Sequence, residues 1–448
     1  MKTPRIRTGE RGRFVLLAFL FFINSLVLES NEVVATSGFV SNVGVSKILL
    51  VWSVVMITVI LASGTYSLFI DRFDRVRFAI VLFMLFSLIY LGFYFMFSAG
   101  VSDFISYGLL AVFTEQQWML FPLLIWALAN DMFSIADAKR LFPLLAVPAI
   151  VGGVLGNSVA AVVGQMTGGQ AHSLLVFNSA LIMVATITLF INSTKIEGQS
   201  RTVDAEAGMR AVVREGMTFI REVPSFRYLT ITLILMGIAL NTIEYQFLLD
   251  VAEYFTDPGK LQAFYGAFKV ASAGGLILLQ AGVATWLMNR AGFKHIFMFM
   301  PTVLMLSLVL TFFWLSPAGA SVLLTGAIVG DYFSRVTLTG IDEPARRTYE
   351  GFIPDQTRGR VSAFLDGILY PLGSLVGCGM IGIVLYAVGN GWLTDAAGRM
   401  VYIGVAIGCA FAGVIAMTRF RVTYDASSFN WRLKRRKRGK SILDEIEF

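Results

Sequence analysis

Residues 237–275 read GIALNTIEYQFLLDVAEYFTDPGKLQAFYGAFKVASAGG. Two apolar segments meet here at a short polar loop, and each carries a charge that bulk lipid does not tolerate: Glu244 in the first, Lys269 in the second. A charge at the bilayer centre costs roughly 3 kcal/mol on insertion scales, so such residues face a bundle interior or a watery cavity and mark function. Function is therefore to be sought in a membrane scaffold that shelters these charges.

The rest of the chain has that character. Its 448 residues are 56% hydrophobic and only 15% charged, with a mean hydropathy of +0.73. Soluble domains carry about 25% charged residues, so the chain is read as an all-α integral membrane protein. Apolar stretches near the spanning length of about 20 residues lie at 14–36, 47–70, 78–99, 104–128, 141–165, 174–193, 227–250, 262–288, 295–316, 319–340, 361–387 and 399–419. Twelve transmembrane helices are expected. Lys and Arg concentrate on the cytoplasmic side of membrane proteins. With the N-terminus inside, only Lys47, Lys260 and Arg399 fall outside, and Lys269 and Arg335 lie within spans. Both termini are then cytoplasmic. The net charge of +7 reads as topology and attraction to anionic lipid rather than as a nucleic-acid footprint. The first span is read as retained, being too long for a signal-peptide core. Cys378 and Cys409 sit in apolar spans and are read as packing residues.

Residues 194–226 form the longest polar stretch between spans, and 204–222 within them has apolar residues at near-helical spacing. An amphipathic helix on the inner membrane face is expected there. It divides the chain into a six-helix half at 1–193, a linker at 194–226, a second half at 227–419 and a basic tail at 420–448. The halves echo one another: Arg13-Phe14 and Arg227-Tyr228 open the first span of each, and Glu29 and Glu244 follow at nearly equal depth. Asp71-Arg72-Phe73-Asp74-Arg75 has its counterpart at Asn289 to Phe293, and Asp137 to Phe142, with Lys139 and Arg140, at Pro344 to Tyr349. Two pseudo-symmetric halves rocking about a midplane site describe the major facilitator architecture.

At membrane depth the polar groups are Asn24, Glu29, Asn31 and Glu32 in the first span, and Glu115, Gln116 and Gln117 in the fourth. Further along come Asn241, Glu244 and Gln246, then Lys269, Asp331, Arg335 and Asp366. Asp331 and Arg335, one turn apart, neutralise each other. Asp366 follows Arg358 and Arg360 and is read as a gating or structural bridge at the inner face. Glu29 and Glu32 reach towards the outer end of their span, where water or function accounts for them. Glu115, Glu244 and Lys269 have no opposite charge one turn away, so another helix, water or a ligand must supply their partner. An intramembrane carboxylate so placed can titrate, and a lysine can receive an anion. A permanent internal Glu–Lys bridge is the plainer alternative. Trp118, Tyr245, Phe264, Tyr265 and Phe268 flank the charges and are read as packing before ligand stacking. No phosphate-cradling loop, metal-spaced cluster or nucleophile elbow is present. An enzyme, a metal centre and a bound cofactor are not expected.

Several stretches then resemble a known family: TEQQW at 114–118, ANDMFSIADAKRLFPL at 129–144, NTIEYQF at 241–247, FYGAFK at 264–269 and RGRVSAFLDGILYPLG at 358–373. In this order they are similar to the ATP/ADP antiporter (nucleotide transporter) family of bacteria, intracellular parasites and plastids, a branch of the major facilitator superfamily. The resemblance implies a secondary transporter of nucleotides or phosphorylated metabolites working by alternating access. It carries the family's acidic residues of spans four and seven onto Glu115 and Glu244. The family's lysines of spans one and eleven correspond to Asn31 and Ser374 here, which leaves Lys269 with Arg335 as the positive charge. The expected substrate and coupling set is Glu115, Glu244, Lys269, Asn31, Asn241 and Gln117. The expected gating or structural set is Asp71, Arg72, Lys139, Arg140, Asp331, Arg335 and Asp366. Two other readings stay open: a proton-coupled carrier of a different solute, and a non-transporting protein that recruits partners through its basic tail.

Overall fold

The computed structural model describes residues 7, 9–70, 74–170, 172–193, 209–280, 290, 293–314, 325–350, 353 and 355–438. Among them every regular element is helical. The first six helices are α1 (Arg11–Asn42), α2 (Ile48–Ile70), α3 (Arg75–Ser98), α4 (Asp103–Met132), α5 (Ile135–Thr167) and α6 (Ser173–Asn192). Then come α7 (Met209–Glu222), α8 (Pro224–Tyr254), α9 (Pro258–Leu278), α10 (Phe299–Phe313) and α11 (Gly326–Thr337). The chain closes with α12 (Glu343–Glu350), α13 (Asp355–Phe364), α14 (Tyr370–Gly389) and α15 (Asp395–Arg438). Ten helical stretches among the described residues are long and apolar enough to cross a membrane, α13 and α14 counting as one, and α10 is a shorter apolar helix. The stretches 281–289 and 315–324, which take in parts of the expected eighth, ninth and tenth spans, lie outside the described residues.

Local chemistry sets the helix ends. The Asp74 carboxylate accepts hydrogen bonds from the backbone N–H groups of Val76 (2.9 Å) and Arg77 (3.0 Å) and so starts α3, as an N-cap aspartate does. Ser134 caps α5 in the same way through the Asp137 N–H. Gly168, in the left-handed region at φ 63°, ends α5.

The fold packs as two compact units, one of residues 1–208 with 248–274, the other of 209–247 with 275–448. In the first, α5 lies directly on α1. A Cβ on Gly152 would sit 2.2 Å from the Phe22 carbonyl oxygen, and one on Gly156 2.2 Å from that of Leu26. Small residues allow this backbone approach, which lipid-embedded helices use in place of hydrophobic driving force. α9 lies against α5 by the same device: Gly266 abuts the Asn157 carbonyl, and Gln262 Nε2 donates to the Ala160 carbonyl at 3.0 Å.

At the end where α1 begins, Arg140 Nη2 binds both oxygens of Glu10 (2.8 and 2.7 Å) and Asp137 Oδ1 (3.1 Å). The Ser134 hydroxyl and then Arg140 hold the Asp137 carboxyl below the usual carboxylate range. Nearby, Arg75 pairs with Asp131 at 2.7 Å.

In the second unit Phe226, Phe297, Tyr349, Leu365 and Phe420 form an aromatic-rich core. Tyr349 shares a 2.8 Å hydrogen bond with Ser225, and burial pushes its phenol up to about 12. The amphipathic helix anticipated at 204–222 is α7, with residues 204–208 outside the described set. Its buried face rests on protein: Ala211 and Val212 are buried, Gly216 meets the Phe364 ring, and Glu215 takes Arg360 at 2.8 Å. A Cβ at Gly216 would lie 2.3 Å from Phe364 Cγ. Gly216→Leu is expected to undock α7 at a cost of about 1–3 kcal/mol. Amide exchange across 209–222 should rise while that of α8 stays slow.

Candidate functional site: two buried charge clusters

Each unit holds a cluster of charges among its helices. In the first, α1 presents Glu29 and Glu32 one turn apart, and α9 brings Lys269 to them. Lys269 Nζ lies 2.8 Å from Glu29 Oε2 and 2.6 Å from Glu32 Oε2. Gly266 creates this encounter. It sits one turn before Lys269 on the face pressed to α5, where a Cβ would be 2.8 Å from the Asn157 carbonyl oxygen. Asn157 on α5 completes the cluster, its Nδ2 donating to Glu29 Oε2 at 2.9 Å. Glu29 and Glu32 are thus engaged by an internal cation rather than simply turned to water.

In the second unit, Arg335 Nε binds Asp331 Oδ2 at 2.5 Å and Arg335 Nη2 binds Glu244 Oε1 at 2.8 Å. The pair one turn apart forms, and the guanidinium still reaches a second carboxylate on α8. Close packing at Gly330, whose Cβ would lie 2.8 Å from Ile243 Cδ1, brings α11 against α8 beside Glu244. Removing two unlike charges from water costs several kcal/mol each, which only close pairing and hydrogen bonding offset. Among the described pairs, Lys269 and Arg335 each meet two carboxylates.

The remaining anticipated residues are placed as follows. Glu115 is half-buried on α4, directly after the buried Thr114. Gln117 against Asn24 and Tyr107 against Gly38 set α4 and α1 in register, with Glu115 between those two levels. Gln117 is buried in a network, receiving the Tyr90 hydroxyl and donating to Asn24 Oδ1 at 2.9 Å. Asn31 accepts from Asn178 Nδ2 at 2.6 Å. Asn241 is buried beside Gly377 and Cys378, where α8 and α14 cross. All three make helix-to-helix contacts among the described residues.

Asp366 pairs with Arg346 (2.5 Å) and Arg347 (2.9 Å), while Arg360 takes Glu215 and the side chain of Arg358 lies outside the described residues. Arg346 also holds Asp342 at 2.8 Å. Asp342 and Asp366 stand in two π-helical turns, Leu338–Asp342 and Leu365–Leu369, and Arg346 ties one to the other. Asp71 and Arg72 lie outside the described residues, as does the side chain of Lys139. Of the flanking aromatics, Tyr245, Tyr265 and Phe268 are buried in packing, whereas Trp118 is 57% exposed. Asn157 is the cluster member that sequence reasoning missed. Its signal was its place in the glycine-rich face Gly152-Gly153-Gly156.

A family model described as TLC ATP/ADP transporter matches residues 87–333, and the chain belongs to that family. The plastidic ATP/ADP-transporter of Solanum tuberosum is 22% identical over 273 residues, 56% of this chain. The match spans 43% of that protein, so the chain covers less than half the length of this curated relative. Among solved structures, the nucleoside transporter NupG superposes with a TM-score of 0.65 at 14% identity, covering 90% of this chain and 98% of that one. A POT family transporter in complex with 5-aminolevulinic acid gives 0.64 at 11% identity, over 92% and 96% of the two chains. A bacterial homologue of the iron transporter ferroportin gives 0.64 at 14%, over 93% and 100%. At such identities the likeness is one of fold, and the fold is the major facilitator type.

Proposed function

We propose that this member of the TLC ATP/ADP transporter family is a secondary transporter that carries a nucleotide or a related small metabolite by alternating access. The observation that carries the reading is the pair of ion clusters inside apolar helices of a chain matched by that family's model. A protein spends folding free energy on buried charge where it moves charged or polar cargo. The finer picture is twelve spans in two six-helix halves, with both termini in the cytoplasm of a bacterium and the basic tail near anionic lipid. Supporting it are the ten spanning stretches and the added apolar helix α10. Glu115, Glu244 and Lys269 are proposed as the groups that meet or couple the solute. Asp342, Arg346 and Asp366 are proposed as a gate.

A specific observation favours a second reading. Among the described residues, Lys269 and Arg335 are each engaged by two internal carboxylates, so neither stands ready for a triphosphate. Coupling to protons, with a solute of lower negative charge, suits this arrangement better. A thermal-shift series with ATP, ADP, nucleosides and phosphorylated sugars on purified protein decides between them. A ligand at 100 times its Kd stabilises the folded state by about 2.7 kcal/mol. A midpoint rise with ATP or ADP that Lys269→Ala abolishes supports direct nucleotide binding. A rise with nucleosides alone supports the second reading, and no rise across the series refutes both.

A further inference from the structure

α7 has two faces of opposite kind, one packed on protein and one exposed. Val212, Gly216 and Phe219 recur at i, i+4 and i+7 and turn to the core of the second unit. Gly216 meets the Phe364 ring, and the Phe219 ring stands edge-on to Phe226 with centroids 4.6 Å apart. Glu215 is tied to Arg360 at 2.8 Å. Arg210, Arg214, Met217 and Arg221 recur at i, i+4, i+7 and i+11 on the other side, and all four are exposed. That spacing lines them up along one face of the helix. The exposed Val213 borders the line, and neither Glu215 nor Glu222 falls on it.

The place of α7 supplies the partner for that line. Only Val223 separates it from α8, a helix long and apolar enough to cross a membrane. Arg227, in the first turn of α8, donates from Nε to the Ile220 carbonyl (2.9 Å) and from Nη2 to the Arg221 carbonyl (2.6 Å). The end of α7 is thereby pinned to the spanning helix, with a cation at its C-terminal carbonyls. The apolar stretch of α8 opens at 227, about 8 Å of helical rise beyond α7, so α7 stands at the level of the lipid headgroups. We propose that the outer face of α7 binds the phosphates of anionic phospholipids, with Met217 and Val213 reaching the edge of the acyl chains. The proposal rests on the membrane topology proposed above and not on the identity of the solute. Charge complementarity selects the lipid, because three guanidinium groups with no carboxylate in their line favour an anionic headgroup over a zwitterionic one. Each guanidinium carries five donors in a planar fork that matches phosphate, so a hydrogen bond to the chain leaves others for the lipid.

The test places a nitroxide at Met217→Cys in the full chain, with Cys378→Ala and Cys409→Ala to leave one thiol. Nanodiscs of phosphatidylcholine alone are compared with nanodiscs containing one third phosphatidylglycerol, and no solute is added. Collision of the label with oxygen, which enters lipid, is measured against collision with a water-soluble nickel chelate. With phosphatidylglycerol present, the label should be shielded from the chelate relative to one at Lys260→Cys in the exposed polar loop. One basic residue strengthens attraction to an anionic surface about fivefold. Shielding should therefore fall about fivefold or more in phosphatidylcholine alone, and likewise in Arg210→Gln/Arg214→Gln/Arg221→Gln. A label at 217 as open to the chelate as the one at 260, with phosphatidylglycerol present, overturns the proposal and leaves the face to a soluble acidic partner. Equal shielding in the two lipids overturns it as well. The lipid comparison keeps all three arginines and decides the matter even where the triple variant fails to fold. Because no solute is present, failure here is separable from a failure of transport, which flux measurements report.

Discussion

Arg335→Met is expected to destabilise the protein by about 3 kcal/mol, the lower part of the 3–5 kcal/mol range for breaking a buried ion pair. Arg335 is the shared partner of Asp331, which is 2% exposed, and of Glu244. Removing the guanidinium leaves two carboxylates facing each other in an apolar bundle. The lower part of the range applies because Arg335 and Glu244 keep some solvent, at 27% and 34% side-chain exposure. Replacing Asp331 as well, in Arg335→Met/Asp331→Asn, should restore much of the loss, since the uncompensated charge is then gone. Midpoints of thermal unfolding for both variants and wild type check this. Equal midpoints for the single and double variants would show that Asp331 and Arg335 are not coupled.

Gly152→Val should have an effect of similar size by a steric route. Its Cβ would stand 2.2 Å from the Phe22 carbonyl oxygen and 3.2 Å from the Leu26 nitrogen. Both are backbone atoms, so no side chain can swing aside, and α1 must move bodily from α5. Overpacking costs typically 1–3 kcal/mol and more where backbone must shift. The displacement would also part Glu29 on α1 from Asn157 on α5, which now lie 2.9 Å apart. Gly404→Val is the control, as nothing lies within 4 Å of a Cβ there. The expected result is loss of monodisperse protein for Gly152→Val and a normal yield for Gly404→Val.

The spanning helices were legible because burial in lipid leaves a simple mark, long runs of apolar residues. Glu244 and Lys269 were legible as anomalies against that mark. Their partners were not. Lys269 meets Glu29 and Glu32 across most of the first unit's sequence, and Glu244 meets Arg335 on α11. Pairings at such separation come from helix packing, which periodicity on one helix does not encode. Asp366 shows the opposite hazard. Its neighbours in sequence, Arg358 and Arg360, suggested a local bridge. Arg360 instead turns to Glu215 on α7, and Asp366 reaches Arg346 and Arg347. The π turn at Leu365–Leu369 re-aims that carboxylate relative to a regular α-helix. For α7 the amphipathic pattern showed a helix with an apolar face but not that Phe364 and its neighbours cover part of it. Glycines carried more than was read from them: Gly152, Gly156, Gly266 and Gly330 are the contact points that bring the charged residues together.

The central claim is that the chain moves a solute across a membrane through these buried charges. Counterflow in proteoliposomes tests it most directly, with labelled ATP, ADP, nucleosides and phosphorylated sugars, at equal pH and with an imposed pH gradient. The account predicts saturable flux of at least one of these solutes in wild type, and a fall of tenfold or more in Glu244→Gln. Wild-type flux no greater than that of protein-free vesicles for the whole set, or equal flux in Glu244→Gln and wild type, would contradict it.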